Sequence, residues 1–142
     1  MTNISDTLKF ILNLAKVQTI MSRKLDAKLY VHSLGFNDFV ILYHLSAHGE
    51  KLRRIDLAEK IGLTASAVTR MLAPMEKTGL VARERNERDA RVSYVILTAA
   101  GKRLLNESVK TAERIAADIL PASKNKNLEK MTELLKEMGG DI

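Results

Sequence analysis

The sequence predicts a mainly α-helical fold carrying one small β-hairpin. Two observations lead there. Over most of the 142 residues apolar side chains recur at steps of three and four, broken by only two prolines and seven glycines, which is the period of an amphipathic helix. After Gly79 the period drops to two, the alternation of a half-buried strand. With 46% hydrophobic and 28% charged residues the chain lies outside the polar, highly charged regime of disorder. Its length is close to that of one average domain, so residues 1–142 read as a single unit.

The elements follow in order. Leu8, Ile11, Leu14, Val17, Met21, Leu25 and Leu29 hold one face of a long first helix. Phe10, Leu12 and Ile20 lie off that stripe, so the apolar surface is wider than one core contact needs and invites a second chain. Gly35 breaks the helix. Asn37 is then placed to cap a second helix, with Phe36 and Ile41 bracketing the cap as a hydrophobic staple, and that helix should stop at Gly49. A short third helix, Ile55 to Ile61, turns Leu57, Ala58 and Ile61 inward. Gly62 supplies the turn and Thr64 caps a fourth helix, with Leu63 and Val68 as its staple. Pro74 lies within this helix and leaves the Arg70 carbonyl without its donor, so a bend is expected there. Beyond Gly79, Val81–Arg85 and Val92–Leu97 form the hairpin around the polar tip Asn86–Arg91. Thr98 caps a fifth helix, with Leu105, Ala112, Ile115, Ala116 and Ile119 inward up to Pro121, and a sixth carries Leu128, Met131, Leu134, Leu135 and Met138.

Composition excludes whole classes of function. No cysteine is present, which removes disulfides, a thiol nucleophile and thiolate metal ligands. No run of about 18 apolar residues and no basic-then-apolar leader occurs, which places the chain in the cytoplasm. Gly-rich phosphate loops, nucleophile elbows and paired catalytic carboxylates are lacking, so no enzyme and no cofactor is expected. His44 and His48 stand four apart on a helix, but no HExxH string accompanies them, so packing is favoured over a metal site. The net charge of +6 is the sign expected of a partner of polyanions. Aromatics at 4% are too scarce for platforms that stack single-stranded bases.

Four strings sharpen this picture: DLAEKIGLTASAVTRML from Asp56, MEKTGLVAR from Met75, Asp89-Ala90-Arg91, and LTAAGKRL from Leu97. Spanning about half the chain in this order, they resemble the multiple antibiotic resistance regulator (MarR) family. The resemblance implies a winged helix-turn-helix over about residues 36–98, bracketed by dimerisation helices at about 1–34 and 99–142. It also implies a homodimeric transcriptional regulator, most often a repressor, that binds an inverted-repeat operator. A small aromatic or phenolic effector is implied in a crevice between winged helix and dimer base. Two positions depart from the pattern: Ala90 stands where many relatives have a basic residue, and Pro74 interrupts the fourth helix.

The residues offered to DNA follow from helix geometry. With Val68, Met71, Leu72 and Met75 inward, the fourth helix exposes Ala65, Ser66, Thr69, Arg70 and Ala73. Thr64 and Ser66 lie at the positive helix start, where a phosphate binds, and Thr69 and Arg70 are the candidates for base edges. Arg70 can bridge the two acceptors of guanine. In the wing Arg83, Arg85, Arg88 and Arg91 are the cations, and a carboxylate two residues before an arginine can hold the guanidinium ready for a narrow groove. By resemblance that pair is Asp89 and Arg91, with Arg91 or Arg88 entering the minor groove. Arg53, Arg54, Lys77 and Lys51 are candidate phosphate contacts. Arg23, His32 and His44 are candidates for the effector crevice. The alternative reading is a winged-helix module that binds another protein and no DNA; such a surface would present apolar residues at the wing.

Overall fold

A computed structural model describes residues 1–142. The chain runs α1 (Asp6–Leu29), a 3-10 turn at Tyr30–His32, α2 (Phe36–Ala47), β1 (Lys51–Arg53), α3 (Arg54–Ile61), α4 (Ala65–Lys77), β2 (Val81–Arg85), β3 (Ser93–Leu97), α5 (Ala99–Ile119), a 3-10 turn at Ala122–Lys124, and α6 (Leu128–Glu137). The fold is mainly helical, with a small antiparallel sheet in the order β1-β3-β2.

Three hydroxyls set helix starts. Ser5, Thr64 and Thr98 accept hydrogen bonds from the backbone N–H groups of Leu8, Ala67 and Gly101, each at 3.1 Å, relieving one orphan donor apiece. α2 starts differently from the sequence expectation. Gly35, not Asn37, is its N-cap. Asp38 Oδ2 accepts from the Gly35 N–H at 3.1 Å and Asp26 Oδ1, reaching across from α1, accepts from the Phe36 N–H at 2.7 Å. Two carboxylates thus satisfy the N–H groups of the N-cap and of the first helical residue. Phe36 becomes the first helical residue and stacks on Phe39 at 6.4 Å instead of stapling Ile41.

The hairpin pairs Val81 with Leu97 through Arg85 with Ser93. The third strand, β1, was not anticipated. It pairs Lys51 with Ile96 through Arg53 with Tyr94 and makes the sheet three-stranded. At three residues it is too short to show a period of two.

Val81 and Val95 from the sheet close the core with Leu34, Ile41, Leu42, Leu45, Leu57, Val68 and Leu72 from the helical side. A second, smaller cluster of Leu25, Leu29 and Ala112 joins α1 to α5, with Phe36, Phe39, Ile115 and Ile119 against it. Ala116, expected inward, is exposed in the single chain. α5 approaches the turn before β2 so closely that a Cβ at Gly101 would fall 2.1 Å from the Leu80 carbonyl oxygen. Glycine in the first turn of α5 is therefore a packing requirement, despite its low helix propensity.

α4 continues through Pro74 to Lys77 without a break. Thr78 Oγ1 donates to the Pro74 carbonyl at 3.1 Å and caps the end. Outside the core two apolar faces remain uncovered. On α1, Leu8, Phe10, Ile11, Leu12 and Val17 are exposed; on α6, Leu128, Met131, Leu134, Leu135 and Met138 are 40 to 46% exposed. No helix is long and apolar enough to cross a membrane.

Candidate nucleic-acid interface

The geometry of α3 and α4 fixes which side chains face outward. Gly62 takes φ +81 between them, and the buried Val68, Leu72 and Met75 pin α4 to the core. Thr64, Ala65, Ser66, Arg70 and Ala73 are exposed on the opposite face, as the helical period requires. Thr69 is less free than its neighbours. Its hydroxyl donates to the Ala65 carbonyl at 2.9 Å and accepts from Arg54 Nη1 at 2.9 Å, so it braces the helix start against α3.

Arg54 departs most from the sequence expectation of a surface phosphate contact. Its side chain is only 16% exposed. Nη2 lies 3.7 Å from Glu76 Oε1, and the same carboxylate oxygen meets Arg83 Nε at 3.6 Å. Two guanidiniums therefore share one carboxylate. Burial, and then the neighbouring Arg83, push the Arg54 pKa down, with Glu76 opposing them. Arg53 stays at the surface and forms a forked pair with Asp56, 2.8 and 3.2 Å. That hydrogen bond to Arg53 lowers the Asp56 pKa. Lys77 is exposed at the end of α4. Lys51 pairs with Glu84 at 3.0 Å and lies 4.5 Å over the Tyr94 ring, a cation–π contact that stiffens the sheet edge.

The wing tip is organised by two short polar side chains. Asn86 Oδ1 accepts from the backbone N–H of Arg88 at 2.8 Å and of Asp89 at 3.3 Å. Asp89 Oδ1 accepts from the Arg91 backbone N–H at 3.0 Å and from Arg91 Nε at 3.2 Å. Arg91 is thus tethered at its root while its side chain is 92% exposed. Arg85 and Arg88 are exposed without such a tether. Arg53 and Arg54 of the α3 start, Ala65 of α4 and Arg91 of the wing line one cleft of about 350 Å³, so recognition helix and wing border the same surface.

Sequence reasoning overlooked Glu76, Asn86, Ser93 and Tyr94. Asn86 was legible, because an asparagine opening a polar stretch is the usual start of a side-chain-closed turn. Glu76 was not, since its partners come from two other elements.

The three residues proposed for an effector do not meet. A separate apolar crevice of about 340 Å³ between α1, α2 and α5 is lined by Leu25, Phe36, Phe39, Tyr43, Val109 and Ala112, with Glu113 as its acid. None of Arg23, His32 and His44 lines it. His32 Nε2 is held at 2.8 Å from Thr111 Oγ1, and Arg23 is exposed on α1. His44 is 3% exposed; its ring stacks on His48 at 5.9 Å and meets Tyr43 edge-on at 5.5 Å. Arg23 faces away because α1 turns Leu25 and Leu29 inward, which places position 23 on the other side of the helix.

A capped recognition helix packed on α3 and followed by a hairpin with a tethered arginine defines a winged helix-turn-helix protein. Comparison adds the family match: residues 36–93 match the MarR family. It is 25% identical over 138 residues to the HTH-type transcriptional regulator YdgJ of Bacillus subtilis, covering 97% of this chain and 82% of that one. The crystal structure of the transcriptional regulator BldR from Sulfolobus solfataricus superposes with a TM-score of 0.85 at 27% identity, covering 97% of each chain. Sco3205, a MarR family regulator from Streptomyces coelicolor solved in complex with DNA, shares the fold with a TM-score of 0.79 at 21% identity over 96% of this chain and 90% of that one.

Proposed function

We propose that two copies of this chain bind an inverted-repeat duplex and regulate transcription by occupying a promoter. The observation that carries this is the shared cleft: the start of α4 and the tethered Arg91 border one cationic surface. Helix and wing are therefore offered to one duplex, the helix to a major groove and Arg91 to the adjacent minor groove. Ser66 and the N-terminal amides of α4 suit a backbone phosphate, Arg70 a base edge, and Arg53 and Lys77 flanking phosphates. Fold kinship with Sco3205, which has been seen on DNA, supports the same reading. A protein-docking module would present apolar groups where this chain presents Arg85, Arg88 and Arg91.

The second copy covers the exposed faces of α1 and α6, since an unpartnered apolar surface of that size is unusual on a monomer. The crevice between α1, α2 and α5 suits a flat apolar effector, aromatic in character, whose binding favours one spacing of the two recognition helices. The chain acts as a regulator and not as a catalyst. Duplex affinity measured against salt tests the proposal: release of condensed counterions requires a steep loss as salt rises, and a flat response would favour the protein-docking alternative.

A further inference from the structure

The crevice between α1, α2 and α5 has a charge pattern of its own. The chain holds three Phe and three Tyr, and half of these rings, Phe36, Phe39 and Tyr43, line this one space. They stand at i, i+3 and i+7 on α2, so a single helix face presents all three. Each is only half-buried. Facing them, α5 presents Val109, Ala112, Glu113 and Ala116 at helical spacing, and the two alanines leave the room that larger side chains would fill. Glu113 is the only charged residue in this wall. It also borders an adjoining hollow of about 480 Å³ between α1, α5 and the start of α6, which shares Leu25, Glu113 and Ala116 with the crevice. No Lys, Arg or His lines either space, in a chain with 23 Lys and Arg. Glu113 belongs to none of the ion pairs of the chain.

A ligand that fills the crevice takes water away from this carboxylate. An aromatic acid would bring a second negative charge beside it, with no cation in the wall to offset the pair. A neutral phenol can donate one hydrogen bond to Glu113 but leaves its charge uncancelled. A cation answers both walls, because the carboxylate neutralises it and the faces of the aromatic rings attract it. We propose that the crevice selects a lipophilic cation: a flat aromatic body against Phe36, Phe39 and Tyr43, carrying one ammonium group that meets Glu113. This rests on the effector reading of the crevice and fixes the charge of the effector, excluding aromatic acids. Glu113 lies on α5, whose first turn is bonded through Thr98 to the start of β2, so the ammonium is held by the helix that carries the winged motif.

Isothermal titration of the intact protein without DNA tests this, using four probes built on one ring system: naphthylmethyl-trimethylammonium, naphthylmethanol, naphthol and naphthoate. The ammonium should bind about tenfold tighter than either neutral probe, and naphthoate should bind weakest. Glu113→Gln, a change of equal size at an exposed position, should weaken the ammonium about tenfold, the factor that 1.4 kcal/mol represents, and leave naphthylmethanol unchanged. Tyr43→Leu should weaken the ammonium more than naphthylmethanol, which separates attraction by the ring face from filling of space. The proposal is overturned if naphthoate or a neutral probe binds as tightly as the ammonium, if no probe binds, or if Glu113→Gln leaves the ammonium affinity unchanged. A Glu113→Gln variant that loosens the dimer at unchanged ammonium affinity assigns the carboxylate to the second copy and overturns it too. Duplex affinity judges the effector reading separately. Ammonium binding that leaves duplex affinity unaltered keeps the cation site and removes its effector role, whereas release of duplex by naphthoate and not by the ammonium keeps an effector and overturns the cation.

Discussion

Single side chains carry separable tasks on this surface, and substitution should separate them. Arg70→Ala should flatten base preference at one position per half-site by about 1–3 kcal/mol while leaving affinity for unrelated duplex nearly unchanged; selection from a random pool reads this directly. Arg91→Ala should instead weaken sites with a narrow A·T minor groove most, because that groove concentrates negative potential. Competition between A-tract and G·C-flanked operators checks it. Buried His44 predicts a pH effect on stability. Burial lowers its pKa from 6.5, with His48 and Lys60 adding to the effect and Asp141 on the facing C-terminal segment opposing it. Between the lowered folded value and 6.5 the unfolded chain binds more protons, so this contribution is complete above about 6.5 and is lost as acid is added. Denaturant midpoints from pH 7.5 to 5 should fall, and His44→Gln should fall less steeply over that range.

At the scale of elements, capping and close approach set the boundaries. Thr64→Ala should cost about 1 kcal/mol, by removing the acceptor for the Ala67 N–H at the start of the recognition helix. Gly101→Ala should be far more damaging, on the order of 3 kcal/mol, because the added carbon meets the backbone oxygen of Leu80 and no flexible side chain can yield; urea unfolding of both variants measures the contrast. The pattern of what the sequence disclosed follows the same physics. Thr64, Gly62 and Thr98 announced their turns, because caps and positive φ angles depend on local residue type. Recognition-face residues followed from one period and one buried stripe. The α2 cap was missed because half of it is Asp26, ten residues away on α1. β1 and the Glu76 bridge were missed for the same reason: each exists only through partners distant in sequence. Arg23, His32 and His44 do not line the crevice between α1, α2 and α5, which is walled by Phe36, Phe39 and Tyr43, residues that sequence alone assigns to core.

For the molecule as a whole, the exposed faces of α1 and α6 tie stability to association. A protein whose apolar surface is completed by a second copy melts at a temperature that rises with its own concentration. Dilution from about 50 to about 0.5 µM should therefore lower the wild-type midpoint, while Leu134→Glu with Leu135→Glu should sediment as a monomer and lose that concentration dependence. The same variant should bind a half-site but gain nothing from a second one, since avidity needs two linked copies.

α5 adds a mechanical consequence. Its 21 residues make a rod about 31 Å long, rooted beside β2 where Thr98 Oγ1 bonds the carbonyls of Gly79 and Leu80, with its far end among the association helices. A swing of about 5° at that far end carries the root by nearly 3 Å, the length of one hydrogen bond. On the proposed dimer, the tilt of this rod therefore sets the separation of the two α4 helices, and a change of a few degrees displaces each by about a bond's length.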